Sequence, residues 1–301
     1  MSEPDALDVL VVGGTGVDHV VRVPFLPLTV RDSMTVPPIQ SVVGHTGTGV
    51  ALGCAALGLR TALVDVIGDD VEGRLVRDRL AAASVELDVV THPSGTRRAV
   101  NLVTPDGSRM SLYDPRPPVD LAGDRSLWRD GIGRTRHVHV TITAWAAPAL
   151  ADAVAAGRST STDLHDWDGQ NPHHRPFALG ADVVFLSTAA LAGPAAEVVR
   201  RVLRDGRAEA VVVTDGARGS VLFVRDTEPV PVPAVILADR PVVDSNGAGD
   251  AYVAAYLAEW LAGSAHREAA RAGAIAGAWA CGSAGTHTGL VDGPTLRGLL
   301  G

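Results

Sequence analysis

The chain has 301 residues, 46% of them hydrophobic, with 26 basic and 34 acidic side chains and a net charge of -8. It contains no lysine, so a P-loop lysine is excluded and any phosphate must be met by arginine, backbone N–H groups or a metal. The acidic balance and the lack of a basic cluster argue against nucleic acid as a partner.

Short β-branched runs alternate with helical patterns along the chain. "DVLVVGG" (8–14) reads as a buried strand ending in glycines. A proline-rich, extended segment follows, "HVVRVPFLPLTVRDSMTVPPIQ" (19–40). "GTGVALGCAALGL" (47–59) reads as a small-residue helix, "TALVDVIG" (61–68) as a strand and "EGRLVRDRLAAAS" (72–84) as a helix. "TRRAVNLVTPDGSRMSLYDP" (96–115) alternates on both sides of Pro105-Asp106-Gly107, which signals a hairpin. "HVHVTIT" (137–143), "ADVVFLS" (181–187) and "AVVVTDG" (210–216) read as strands, with helices expected near 148–157 and 194–205. The last third reads as helical, most clearly in "REAARAGAIAGAWACGSAG" (267–285). Strands alternating with helices imply βαβ units and a mostly parallel sheet covered on both faces. The segments at 19–40 and 96–115 fit no helical crossover. They are expected to form a small separate β-sheet, a lid inserted into a single domain spanning 1–301.

Cys54 and Cys281 sit in alanine-rich helical contexts and read as small buried hydrophobes. The start "MSEPDALDVLVVGG" has no basic n-region, and no run reaches the ~20 apolar residues that span a bilayer. A soluble, cytoplasmic protein away from membranes is expected.

Four stretches carry candidate chemistry. "GGTGVDH" (13–19) suggests a dinucleotide loop, but Gly14-x-Gly16-x-x-His19 lacks the third glycine and no helix follows. A glycine turn accounts for the glycines. It leaves Asp18 unexplained, a carboxylate just beyond a strand's C-terminal end, where open α/β sheets bind ligands. "GHTGTG" (44–49) opens a helix with small residues, for a ligand or for close packing. "HDWDGQNPHH" (165–174) concentrates histidine and aspartate, as a metal site, a polar rim or a surface loop. "VVDSNGAGDAYVAAYLAEWLAG" (242–263) sets Gly247, Ala248 and Gly249 before Asp250 at the start of an apolar helix. A helix N-terminus offers unpaired N–H groups and positive potential, and glycines let those groups converge on one anion. Asp250 beside such a site would repel a phosphate unless it accepts the proton of an attacking hydroxyl. The alternative is an ordinary first-turn acid favoured by the helix dipole, and both readings stand at this point.

"DSNGAGDAYVAAYLAEWLAG" closely resembles the D-T-x-G-A-G-D-x-F signature of the ribokinase-like (PfkB) carbohydrate kinases. "VVGHTGTGVALGCAALGLRTALVDVIGDDVEG" resembles that family's other signature, and "VVVTDGARGSVLF" (211–223) its nucleotide-loop stretch. The likeness runs over nearly the whole chain. It implies a three-layer α/β sandwich with a mostly parallel central sheet and a small β-sheet lid. It implies ATP-dependent phosphorylation of a hydroxyl on a sugar or sugar-like molecule. Asp250 then looks like the base and Gly247, Ala248 and Gly249 like the anion hole. Asp18, Gly44, His45 and Gly49 look like the substrate side, and Ser187, Thr214, Gly216 and Gly219 like the nucleotide side. Mg²⁺ is implied on the phosphates, with a monovalent cation such as K⁺ beside Asp244 and Asn246 in many members. The resemblance also leaves room for a homodimer through the lid.

Three departures stand out. The family's G-G-x-x-x-N has His45 and Gly49 in place of its second glycine and its asparagine. Its N-x-x-E falls in "LSTAALAG", where Ser187 and Ala190 leave no acid. Its D-x-N is Asp163-Leu164-His165. The rivals are a nucleoside kinase, which would need an aromatic platform such as Trp145 or Trp167, and a catalytically weak ligand-binding homologue.

Overall fold

The structure is a computed structural model that describes residues 6–105, 107, 109–116, 124–191 and 193–301. Asp106 of the expected hairpin turn and Ala192 of "LSTAALAG" lie outside them.

In chain order, β1 (Leu7–Val12) leads into β2 (Gly16–Arg22) and β3 (Gln40–Gly44), then α1 (Thr46–Ala56), β4 (Thr61–Ile67), α2 (Val71–Ala82) and β5 (Glu86–Thr91). The hairpin β6 (Arg98–Val103) and β7 (Arg109–Asp114) follows. Alternation resumes with α3 (Ser126–Arg134), β8 (Thr135–Val140), α4 (Ala147–Ala155), β9 (Ser159–Asp163), α5 (Arg175–Gly180), β10 (Val183–Ser187), α6 (Ala195–Asp205) and β11 (Ala210–Thr214). After β12 (Ser220–Val224) and β13 (Val230–Val232) come α7 (Ala248–Leu261), α8 (His266–Cys281) and α9 (Gly293–Leu300).

Nine strands form the main sheet in the order β13-β12-β11-β10-β9-β8-β1-β4-β5, parallel from β11 to β5, with β12 and β13 antiparallel at one edge. Successive side chains of β1 enter opposite cores. Leu10 and Val12 pack with Trp128 and Leu150, while Val9 and Val11 pack with Val50 and Tyr256. A strand buried on both faces needs no polar side, which is why "LDVLVV" is almost uniformly apolar. The result is the expected three-layer sandwich.

Strand β9 shows how burial can escape a hydrophobic pattern. Its sequence is STSTD, yet Thr160, Ser161 and Thr162 are fully buried between β8 and β10. Each hydroxyl has a partner. Ser161 Oγ lies 2.7 Å from His137 Nε2 and 2.8 Å from His139 Nδ1, Thr162 donates to Val140 O at 2.7 Å, and Thr160 donates to Asp182 Oδ2 at 2.9 Å. Buried polar groups are tolerated when paired in this way.

A second sheet, in the order β3-β2-β6-β7, takes β6 and β7 from the segment 96–115, but the segment 19–40 contributes only its ends, because β2 already begins at Gly16 and β3 runs from Gln40 to Gly44. Between β2 and β3 the chain is irregular, because Pro24, Pro27, Pro37 and Pro38 cannot donate to a ladder. At the root of this sheet, Arg97 forks onto Asp65 of β4 (2.8 and 3.0 Å) and also donates to Thr15 O at 3.1 Å. Arg97 and Asp65 are both buried, so truncating either would leave an unpaired charge at a cost of about 3–5 kcal/mol. Helix α8 stops at Cys281 rather than running to 285, since Gly282 follows and Gly285 is left-handed at φ 88°. Cys54 is buried and free, whereas Cys281 is free but only half-buried. Among the described residues, no helix is long and apolar enough to cross a membrane.

Candidate active site

Helix α7 begins on Gly247, whose φ of 79° is left-handed and suits glycine. The first bond back to the cap is Ala251 N–H to Gly247 O at 3.0 Å, and Ala248 N–H turns back to Ser245 O at 3.3 Å. The N–H groups of Gly249 and Asp250 therefore belong to the unpaired first turn. A Cβ built on Gly249 would meet nothing within 4 Å, so open space lies beside these donors. Asp250 sits at the edge of that space, only 7% exposed. Its Oδ2 lies 2.6 Å from Nε2 of His287, from the loop after α8.

The sequence-nominated acceptor residues converge on the same place from the opposite side. Asp18 on β2 is 8% exposed. Burial raises its pKa, while His287, the His45 backbone N–H and Arg109 pull it down. Gly44 lies against it, since a Cβ there would fall 2.2 Å from Asp18 Oδ2. His45 occupies a glycine position of the resembling motif and keeps a glycine-like backbone at φ 68°. Its Nε2 is 3.4 Å from Asp18 Oδ1 and has no hydrogen-bond partner. Burial, helped by Arg97 and His287, pushes its pKa down to about 3, so the ring is neutral near pH 7. Gly49 faces Asp250 and His287 directly.

Strand β7 of the second sheet borders this region with alternate residues. Arg109 donates to Asn246 in the loop before α7, Ser111 donates to Asn101 at 2.7 Å, and the Tyr113 ring lies 5.6 Å from the His45 ring. The intervening Met110 and Leu112 are exposed. At the C-terminal end of β9, Asp163 Oδ1 accepts the His165 N–H at 2.8 Å, and burial raises its pKa. His139 is fully buried with Nε2 unpartnered, and its pKa is lowered to about 4 by burial despite the pull of Asp250. Most of the loop 165–174 folds onto itself. Asp168 accepts N–H groups from Gln170 and Asn171 at 2.8 Å each, and His173 Nε2 contacts Ile142 O at 2.7 Å. No cluster of three His, Cys, Asp or Glu able to hold a metal occurs among the described residues.

The nucleotide-side nominees lie at the ends of β10 and β11. Thr214 Oγ1 donates to Leu186 O at 3.4 Å. Ser187 Oγ accepts from Ala189 N–H at 3.2 Å, inside the short turn where the family's N-x-x-E would lie. The carboxylate beside that turn is Asp215, held by Thr188 Oγ1 at 2.5 Å and by Arg218 at 2.6 and 2.7 Å. The Arg218 and Thr188 bonds lower its pKa. Gly216 and Gly219 bracket the exposed turn at Arg218, and Gly219 packs on the backbone of 232–234. From there the loop to α7 carries Ile236, Val242 and Val243, which are 92%, 78% and 59% exposed. Asp244 clasps this loop to the end of α8, accepting the N–H groups of Asn246 at 3.0 Å and Gly285 at 3.1 Å.

Two candidates are displaced. Trp145 and Trp167 lie in the hydrophobic core, 4% and 5% exposed, and offer no platform to a ligand. The exposed aromatic near the acceptor residues is Tyr113. Sequence reasoning missed Tyr113, Arg109, His139 and His287. For the first two, the hairpin's alternation held a usable signal, since 109, 111 and 113 share one face.

Comparison with known proteins bears on the family and the fold. A profile described as "pfkB family carbohydrate kinase" matches residues 182–292. The acarbose 7(IV)-phosphotransferase of an Actinoplanes species is 45% identical over 286 residues, covering 95% of each chain. The solved structure of a microbiome-derived acarbose kinase is 59% identical, with a TM-score of 0.92 over 98% of this chain and 99% of that one. The ribokinase of Arabidopsis thaliana, solved with ribose and ATP, shares the fold at 21% identity, with a TM-score of 0.84 over 98% of this chain and 99% of the other.

Proposed function

The chain belongs to the PfkB family of carbohydrate kinases, and we propose that the hydroxyl it phosphorylates with ATP is carried by acarbose or an oligosaccharide of similar chemistry. The two acarbose-directed relatives support the substrate class. The observation that carries the chemistry is Asp250, buried in the first turn of α7 beside open space and unpaired N–H groups. In this reading Asp250 accepts the proton as the acceptor oxygen attacks the γ-phosphorus, and the first-turn N–H groups stabilise the developing charge. Asp18, Gly44, His45 and Gly49 shape the acceptor side. Ser187, Thr214, Gly216 and Gly219 border the nucleotide, whose base covers part of the exposed apolar surface at Ile236 and Val242.

Mg²⁺ fits as an ion carried by the nucleotide's phosphates. Ala190 offers no ligand, and Asp215 is committed to Thr188 and Arg218. Mg²⁺ commonly relies on phosphates, waters and few carboxylates. When bound, it would neutralise charge on those phosphates. A monovalent cation such as K⁺ belongs beside Asp244 and Asn246. Both Asp244 oxygens already accept an N–H and Asn246 Oδ1 accepts from the Arg109 guanidinium, so the cation would use the remaining lone pairs of Asp244. Use of ATP supports a cytoplasmic location. Exposed Met110 and Leu112 on the edge strand β7 support a homodimer through the second sheet.

ADP release measured over a panel of acarbose, maltose, ribose and adenosine tests the substrate class. The highest kcat/KM on acarbose is expected. A preference for adenosine would move the assignment to the nucleoside-kinase alternative, and no turnover on any acceptor would favour a binding protein.

A further inference from the structure

A carboxylate that accepts a proton from an attacking hydroxyl must hold one oxygen in a fixed direction. Asp250 is a first-turn residue, and its helix fixes the backbone but not the side-chain rotation. His287 supplies the missing constraint, with Nε2 only 2.6 Å from Asp250 Oδ2 and a side chain 1% exposed. The ring arrives from a loop 37 residues further along the chain. Its backbone is left-handed at φ 58°, an uncommon state for a side chain of this kind. The His287 carbonyl is held by Arg79 at 3.3 Å.

Room for the pair exists because position 49 has no side chain. A Cβ on Gly49 would lie 2.2 Å from His287 Nε2, 2.5 Å from Asp250 Oδ2 and 2.6 Å from Asp250 Cβ. All three distances are far inside van der Waals contact, and both side chains are enclosed. This is the position at which the resembling motif carries a substrate-holding asparagine. Any side chain at position 49, the asparagine of that motif included, would collide with the Asp250–His287 pair.

We propose that His287 is a positioning residue for Asp250, and that position 49 is glycine because the Asp250–His287 pair fills the space its side chain would need. The inference rests on Asp250 being the base. With Nε2–H donating to Oδ2, Oδ1 is left to receive the acceptor's proton. The acceptor oxygen bonds to the γ-phosphorus as the bond to the ADP oxygen breaks, and His287 keeps its own protons throughout.

The test measures kcat, both KM values and melting for His287→Leu, His287→Gln and Gly49→Ala, with His287→Leu also placed on Asp250→Asn. Misdirecting a reacting group by about an ångström can cost on the order of 100-fold. His287→Leu is therefore expected to lower kcat by about 10–100-fold with the acceptor KM within about twofold. Glutamine can donate from a similar place and should restore kcat to within about fivefold of the parent. Gly49→Ala displaces the pair without removing the imidazole, so it should also lower kcat, and it keeps the idea testable if His287→Leu does not fold. On Asp250→Asn, adding His287→Leu should cost nothing further. The proposal is overturned by unchanged kcat in folded His287→Leu or Gly49→Ala. It is equally overturned if leucine and glutamine are equally slow, or if the double variant shows additive losses. Near-normal turnover of Asp250→Asn alone would instead remove the base assignment beneath it.

Discussion

The two halves of the proposed site are built on opposite principles. On the proposed acceptor side, Asp18, Asp250 and His287 are 8%, 7% and 4% exposed; Asp18 accepts the His45 backbone N–H, and Asp250 and His287 hold each other. On the proposed nucleotide side, Gly216 and Arg218 are exposed, and the loop beyond them holds Ile236 and Val242 almost entirely in solvent. Burying a polar group without a partner costs several kcal/mol, so the acceptor side has to be largely assembled before any substrate arrives. Exposed apolar side chains carry no such demand and can wait for a ligand's flat face. Substitutions on the first side should therefore reach catalysis and stability, while those on the second should reach nucleotide affinity alone.

Asp250→Asn is expected to show the largest effect. It keeps the shape and removes the base, so kcat should fall by about 10²–10⁴-fold with acceptor affinity little changed. Steady-state kinetics on the folded variant check it, and near-normal turnover would sink the assignment. Gly249→Ala comes next. Its Cβ meets no protein atom within 4 Å, so melting should hardly change. The methyl would enter the space assigned to the phosphoryl group, slowing turnover by about 10²-fold, the scale of one lost oxyanion donor. Unchanged kcat in that variant would place the phosphate elsewhere.

Asp18→Ala tests the acceptor side by binding. Losing hydrogen bonds to a charged group costs about 1.5–3 kcal/mol, which is about 10–150-fold in acceptor affinity, with ATP affinity held. Calorimetry with each ligand separates the two sides. The reverse pattern would mean that their assignments are exchanged.

Acid should expose the same contrast through stability. Burial lowers the pKa of His45 and His137 to about 3 and of His139 to about 4, against 6.5 for a free imidazole. Between those values the unfolded chain binds more protons than the folded one, so stability falls as pH drops from 6.5. Asp18 and Asp163, raised by burial, act in the opposite direction at lower pH. Melting followed from pH 7 to pH 5 should decline. In His139→Gln the slope should lessen by up to about 1.4 kcal/mol per pH unit, and an unchanged slope would mean that this ring is protonated in the fold. The smallest effect belongs to the nucleotide side. Ile236→Ser or Val242→Ser should raise the KM for ATP about threefold to tenfold through lost apolar contact, without touching acceptor affinity or melting.

Legibility in the sequence followed the range of each interaction. The Gly247-Ala248-Gly249-Asp250 helix start could be read because cap, donors and carboxylate are consecutive. The strands at 8–14, 61–68, 181–187 and 210–216 were visible for the same local reason: burial on both faces leaves an unbroken apolar run. The polar strand β9 escaped notice, because its burial is compensated by His137, His139 and Asp182 from other elements. Trp145 and Trp167 could be counted in the sequence, but their place in the core could not.

The sequence by itself determined the alternation of strands and helices, the two irregular segments and the helix start at 247–250. Each of these is dictated by residues close together in the chain. Only the tertiary structure decided that His287 meets Asp250, that Gly49 must be bare beneath them, and that Arg97 and Arg109 anchor the root and reach of the second sheet. The partners in these contacts are separated by 32 to 238 positions, the longest being Gly49 against His287. No periodicity or spacing rule acts over such distances; side chains so far apart are brought together by the packing of whole layers.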